Sequence, residues 1–339
     1  MAGDAAKFRP DLEGMRGLAI LLVVLFHAGV RLFAGGFIGV DVFFVLSGFF
    51  ITGLLVRELD QTGRIDVPAF YARRALRLIP PLLVVLLVTL GLVMWLYAPI
   101  DRAPIAHTAR AVSLYSANVH FAQAQRDYFG SGENPLLHTW SLAVEEQFYL
   151  VWPLLLMALV AWTQRWRSEP SPLSEEGAST GRDRLVIGLA VCGALSLLLS
   201  VWMTRVSQQW AFYGMPTRIW EFALGAVLAL KADAVGSGTS PARWTMVQVV
   251  ALLAIAVPVL TYDRITPYPG TAAVWPALGA AALIVAGGHA PESGITRALS
   301  TRSLRWLGRM SYAWYLWHWP LVGLGAALDP GIGALGKLT

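Results

Sequence analysis

Charged side chains are scarce: Asp, Glu, Lys and Arg make up 14% of the 339 residues, against 56% hydrophobic. A soluble domain carries about a quarter charged residues, so a water-coated globule of this size is excluded. Mean hydropathy of +0.57 points the same way, to lipid as the solvent. Cysteine is nearly absent. The single Cys192 excludes an intramolecular disulfide and a multi-cysteine zinc or iron–sulfur centre, and no metal site is expected. No basic patch forms either. The net charge of +5 comes from residues that alternate with apolar runs, so they read as topology signals and nucleic acid is not an expected partner. P-loop, dinucleotide fingerprint and H-E-x-x-H are all missing, as are internal repeats. A basic start precedes an apolar stretch, but no small-residue cleavage site follows promptly and His27 interrupts the stretch, which argues against a cleaved secretory signal.

What the sequence has is long apolar runs. A span needs about 20 mostly apolar residues. Nine segments qualify, at 17–33, 37–56, 78–98, 136–162, 185–203, 213–230, 246–260, 271–287 and 304–328. A tenth, 105–121, contains His107, Arg110, Asn118 and His120. If it does not cross, 18 of the 26 basic residues fall on the inner side; if it crosses, they divide 13 and 13. The expectation is an all-α polytopic transmembrane bundle of about nine spans, with its amino terminus cytoplasmic and 105–121 outer or re-entrant. Residues 168–182 (SEPSPLSEEGASTGR) read as a flexible cytoplasmic loop.

Ionisable residues within the spans are functional candidates by default, because a charge at bilayer depth costs a few kcal/mol. Arg16 stands at the cytoplasmic edge of the first span and His27 about mid-depth. Eleven helical residues bring them to one face, about 16 Å apart along the axis. That separation matches an extended pantetheine arm, so coenzyme A phosphates at the edge would let a thioester reach the imidazole. A neutral imidazole at this depth suits a general base, although a lone intramembrane histidine is often only bonded to a neighbouring helix. At the mouth of the third span, Arg73, Arg74 and Arg77 form a fork suited to phosphate or to anionic headgroups. Glu145 and Glu146 lie about ten residues into a span and point about 100° apart. One of them is expected to pair with an arginine or histidine, and a buried ion pair fixing register is the alternative. Glu221 near Arg218 invites the same two readings, with the ion pair favoured. His318, among Trp314, Trp317 and Trp319, reads first as a satisfied histidine in an aromatic belt. Ser47 beside Gly48 reads as a packing serine, since no G-x-S-x-G elbow surrounds it.

Together these residues carry a resemblance. Phe8-Arg9-Pro10-Asp11-Leu12-Glu13-Gly14-Met15-Arg16-Gly17 followed by Leu25-Phe26-His27-Ala28-Gly29 resembles the opening of the acyltransferase 3 family of integral membrane O-acyltransferases. The stretch from Gly36 to Ile51, the Arg74-x-x-Arg77 pair, Pro135-Leu136-Leu137-His138-Thr139-Trp140-Ser141-Leu142 with Glu145-Glu146-Gln147-Phe148-Tyr149, and Ser311-Tyr312 through Trp319-Pro320 follow in the family's order. The resemblance implies one acyltransferase 3-type membrane domain over 1–339 in the plasma (inner) membrane. Its implied reaction moves an acyl group, usually acetyl, from cytoplasmic acyl-CoA to a hydroxyl of a glycan or small-molecule acceptor. Acyl-CoA would be a co-substrate, with no resident cofactor. Arg16 and His27 match the essential pair, and Arg74 with Arg77 the proposed coenzyme motif. The acceptor is expected on the side of Asp41, Asn134 and His138, with Glu145 or Glu146 orienting the histidine or an arginine. The Trp-Ser-Leu-x-x-Glu-Glu-Gln-Phe-Tyr form is most similar to the subgroup fused to an SGNH hydrolase-type domain. Its members continue past the Trp-His-Trp-Pro helix, so a carboxyl terminus at Thr339 implies an incomplete membrane domain. A transporter or exporter of a lipid-linked or acylated product is the rival reading.

Overall fold

The computed structural model describes residues 8–129, 134–165, 175–231 and 240–328, and among these there is helix and no strand. In chain order the helices are α1 Pro10–His27, α2 Gly39–Thr62, α3 Val67–Leu96, α4 Pro99–Ser113, α5 Ala117–Gln123, α6 Thr139–Arg165 and α7 Glu175–Val206. They continue as α8 Gln208–Tyr213, α9 Ile219–Lys231, α10 Pro241–Thr261, α11 Val274–His289, α12 Gly294–Leu299, α13 Arg302–Arg309 and α14 Ser311–Leu328. Five segments, carrying α2, α3, α6, α7 and α10, are long and apolar enough to cross a membrane. The other four expected spans correspond to α1, α9, α11 and the α13–α14 pair, which are shorter or carry charge. This is a multi-pass membrane helical bundle.

Helix α2 is its axis. Its apolar window is 72% buried, whereas those of α3, α6, α7 and α10 are 28–39% buried and turn residues such as Leu87, Leu154, Leu198 and Leu253 outward. Without a hydrophobic drive between helices in lipid, close approach depends on small residues. At Gly48 of α2 an added Cβ would meet the Phe222 carbonyl of α9, and at Gly225 of α9 it would meet the Val45 carbonyl of α2. Gly17 of α1 and Gly308 of α13 make the same kind of contact, so any larger side chain would push these helices apart.

Two expectations need correction. Helix α1 starts at Pro10 and stops at His27, where Gly29 takes a left-handed φ of 73°, so the imidazole stands at the helix end instead of mid-span. Of the expected loop 168–182, residues 168–174 lie outside the described residues and the remainder is the opening of α7. Segment 105–121 is not one continuous helix: α4 and α5 are separated at Tyr115, whose φ is 49°. Of its polar residues His107 and Arg110 are exposed, whereas Asn118 is used internally, its Nδ2 donating to the Tyr213 carbonyl at 3.1 Å and its Oδ1 accepting from Gln147 Nε2 at 2.8 Å.

Candidate functional site

At the far end of α1 the His27 ring turns inward. Its Nδ1 lies 2.8 Å from His318 Nε2, and its Nε2 lies 2.7 Å from the Tyr128 hydroxyl. His318 Nδ1 in turn faces the Tyr315 carbonyl at 2.7 Å and the Trp314 carbonyl at 3.1 Å. A carbonyl only accepts, so His318 carries its proton on Nδ1 and leaves Nε2 as an acceptor. With neutral rings, His27 must then donate from Nδ1, and its Nε2 lone pair accepts from Tyr128. The α14 backbone carbonyls thus set the tautomers of two histidines. Trp319 closes the other side, edge to face with His27 at 4.5 Å between centroids, and its Nε1 donates to the Asn134 carbonyl at 2.9 Å.

Arg16 lies about 16 Å back along α1. Its Nη2 donates to Ser311 Oγ at 3.0 Å, while its Nε is buried without a partner among the described residues. It lines a cavity of about 50 Å³ with Ser141, Glu145, Ser311, Tyr312 and Tyr315, walled by Phe43, Phe44 and Leu142. Glu145, Arg74, Arg77 and Tyr149 are the electrostatic neighbours of Arg16. Glu145 Oε1 accepts from the hydroxyls of both Ser47 and Tyr149. The Arg74 guanidinium stacks on the Tyr149 ring, 3.6 Å from its centroid. Tyr315 joins the two ends: its hydroxyl lines the cavity and bonds Ser141 and the His138 carbonyl, while its own carbonyl holds His318.

The structure therefore brings Arg16, Arg74, Arg77, Glu145 and Glu146 to one end of the site and His27 to the other. The carboxylates neighbour arginines, not the histidine. Arg73 is exposed and stands apart from the cavity lining. Asp41 requires a correction: it is 1% exposed and closed off from any acceptor. Its Oδ1 pairs with Arg218 Nη1 at 3.0 Å, the same nitrogen reaches Glu221 Oε1 at 3.0 Å, and Tyr268 donates to Asp41 Oδ2 at 2.5 Å. Glu221 is thus the ion-pair partner that its spacing from Arg218 suggests. Asn134 belongs to the His27 end, where its Nδ2 donates to Thr108 Oγ1 at 2.8 Å. His138 is fully buried behind His318, 5.4 Å between centroids, so it is not an open acceptor contact either. Both of its ring nitrogens lack a hydrogen bond of good geometry among the described residues.

Sequence reasoning missed four contributors. His318 was placed in an aromatic belt but holds His27; the histidine inside Trp317-His318-Trp319 was the available signal. Ser47 engages Glu145 instead of merely packing beside Gly48. Tyr128 lies in a short polar connection with no periodicity to mark it, and Tyr149 reads in sequence as one more aromatic of α6. Among the described residues no three of His, Cys, Asp and Glu converge as metal ligands.

Comparison with known proteins bears on the family. The family model described as an acyltransferase domain matches residues 9–332. The peptidoglycan O-acetyltransferase OatA of Listeria monocytogenes is 31% identical over 332 residues, covering 94% of this chain and 50% of that protein. The putative peptidoglycan O-acetyltransferase YrhL of Bacillus subtilis is 31% identical over 335 residues, covering 95% and 50%. A putative O-acetyltransferase of Staphylococcus aureus, SAS0844, is 29% identical over 328 residues, covering 93% and 51%. The chain spans about half the length of these curated relatives. No solved structure matches it. The matched blocks run from the start of α1 to beyond the His318 helix, and on that evidence the chain belongs to the acyltransferase 3 family of membrane enzymes.

Proposed function

We propose that this chain transfers an acetyl group from cytoplasmic acyl-CoA to a hydroxyl of a cell-wall glycan, with His27 as the base. The observation that carries the reading is the His27 ring itself. It faces the interior, its Nε2 lone pair is aimed by His318, and it sits a pantetheine length from Arg16 along α1. The Tyr128 hydroxyl occupies the place where an acceptor hydroxyl would stand. Once an acceptor replaces it, Nε2 takes the hydroxyl proton as the oxygen attacks the thioester carbonyl. The carbon–sulfur bond breaks, and His27 returns the proton to the departing coenzyme thiolate. His318 acts as a positioning residue and shares the transient positive charge.

Arg74 and Arg77, with Arg16 behind them, would hold the coenzyme phosphates, because a guanidinium binds phosphate bidentately and keeps its charge. The basic loops favour the cytoplasmic face for that end, and on this reading the acceptor arrives from the opposite side near Asn134 and Trp319. The printed names of the relatives favour a peptidoglycan sugar as that acceptor.

Transfer of labelled acetyl from acetyl-CoA, in membranes containing this chain, tests the reading. His27→Ala should lose about 10²- to 10⁴-fold in rate, and Arg74→Ala/Arg77→Ala should raise the KM for acetyl-CoA. Undiminished turnover in His27→Ala would remove the proposed chemistry, and an unchanged KM would remove the proposed coenzyme site.

A further inference from the structure

Arg74 makes no ion pair among the described residues, although Glu146 is an electrostatic neighbour and Glu145 touches the ring on which Arg74 rests. Its Nε is buried and unpartnered. Among the described residues the groups over its guanidinium are aromatic: Tyr149 at 3.6 Å and Phe70 at 5.4 Å from the ring centroids. A cation on an aromatic face is stabilised without being neutralised, and its N–H edge stays open to a phosphate; a carboxylate partner would occupy that edge.

The nearby carboxylate is occupied elsewhere. Tyr149 follows Glu145 by four residues on α6, so the two share a helix face. The Tyr149 and Ser47 hydroxyls lie 3.0 Å apart and both engage Glu145 Oε1. The same tyrosine therefore carries Arg74 on its ring and holds Glu145 with its hydroxyl.

We propose that Tyr149 is a positioning residue that keeps Arg74 available to a phosphate group of the coenzyme, its ring supporting the guanidinium while its hydroxyl withholds Glu145 from pairing with it. The proposal rests on the reading of Arg74 as a coenzyme ligand and assigns a separate task to a residue outside the arginine motif. It separates two roles that loss of packing alone would merge. Removing only the hydroxyl frees Glu145 to compete with phosphate, and that damage disappears when Glu145 loses its charge.

The test is the affinity of the full chain, in detergent micelles, for coenzyme A itself, measured by titration calorimetry so that no turnover intervenes. Tyr149→Phe should weaken binding about tenfold, the size of effect expected when a partly buried cation gains a competing carboxylate. Tyr149→Phe combined with Glu145→Gln should bind within about twofold of Glu145→Gln alone. Tyr149→Leu, which also removes the ring, should stay weakened by about tenfold even with Glu145→Gln. The helical circular dichroism melt of each variant shows that it is folded. Wild-type affinity in Tyr149→Phe overturns the proposal, and so does a loss that Glu145→Gln does not relieve. Arg74→Ala separates the two levels: unchanged affinity there sinks the coenzyme reading itself, whereas weakened binding there with none in Tyr149→Phe sinks only the role of Tyr149.

Discussion

Arg218 and Arg16 are both guanidiniums drawn into the helical bundle, yet their surroundings are opposites. Arg218 is 1% exposed and meets two carboxylates, Asp41 and Glu221, with a carbonyl and three aromatic rings around it. Arg16 has one serine hydroxyl, an unpartnered Nε and a cavity beside it. In the first cluster the cation is paired within the fold; in the second it has no ion pair among the described residues. Burying a cation without a carboxylate costs stability, and a fold accepts that cost where a ligand supplies the missing anion. The difference separates an arginine that holds α2 to α9 from one that has no ion pair among the described residues, as the proposed coenzyme role requires.

The largest effect should come from breaking the closed cluster. Arg218→Met leaves two buried carboxylates without their cation and is expected to destabilise the protein by about 3–5 kcal/mol. A steep fall in the melting temperature of detergent-solubilised protein would report it. Replacing the whole group, Asp41→Leu with Arg218→Met and Glu221→Leu, should recover most of that loss, because no uncompensated charge then remains. If the triple variant melts as low as the single one, the cluster does more than neutralise itself.

The open cluster should respond in the other sense. Arg16→Met removes a cation that has no ion pair among the described residues, so the melting temperature should hold or rise slightly, while the proposed acetyl transfer should fall about 10²- to 10³-fold. A melting temperature that drops as far as in Arg218→Met would erase the contrast between the two arginines.

How much of this was legible in the sequence follows from distance along the chain. Arg16 and His27 lie on one helix, so a period of 3.6 residues was enough to put them on one face, and the same holds for Arg218 with Glu221 three residues later. Asp41 and Arg218 are 177 residues apart, and His27 and His318 are 291 apart; no local period connects either pair. Asp41 was therefore read as an open acceptor residue and His318 as part of an aromatic belt. In sequence His27 reads as mid-span because an apolar run continues through Leu32 and Phe33, whereas the backbone stops the helix before Gly29. All-α membrane architecture was the easiest element to read, since long apolar runs and few charges admit little else.

A third kind of arginine contact completes the scale at its weak end. Arg182 pairs with Asp60 at 2.6 Å, but the two side chains are 51% and 50% exposed, so water and salt compete for both. This pair neither fills the bundle nor faces the cavity, and it holds two long side chains in one geometry at an entropic cost that offsets much of the attraction. Arg182→Ala should therefore shift stability by less than about 1 kcal/mol and leave the proposed acetyl transfer unchanged. Added salt should shrink even that difference, while the Arg218→Met loss should persist because buried charges are little screened. Were the exposed pair to prove as costly to break as the buried one, burial would not be what distinguishes the arginines of this bundle.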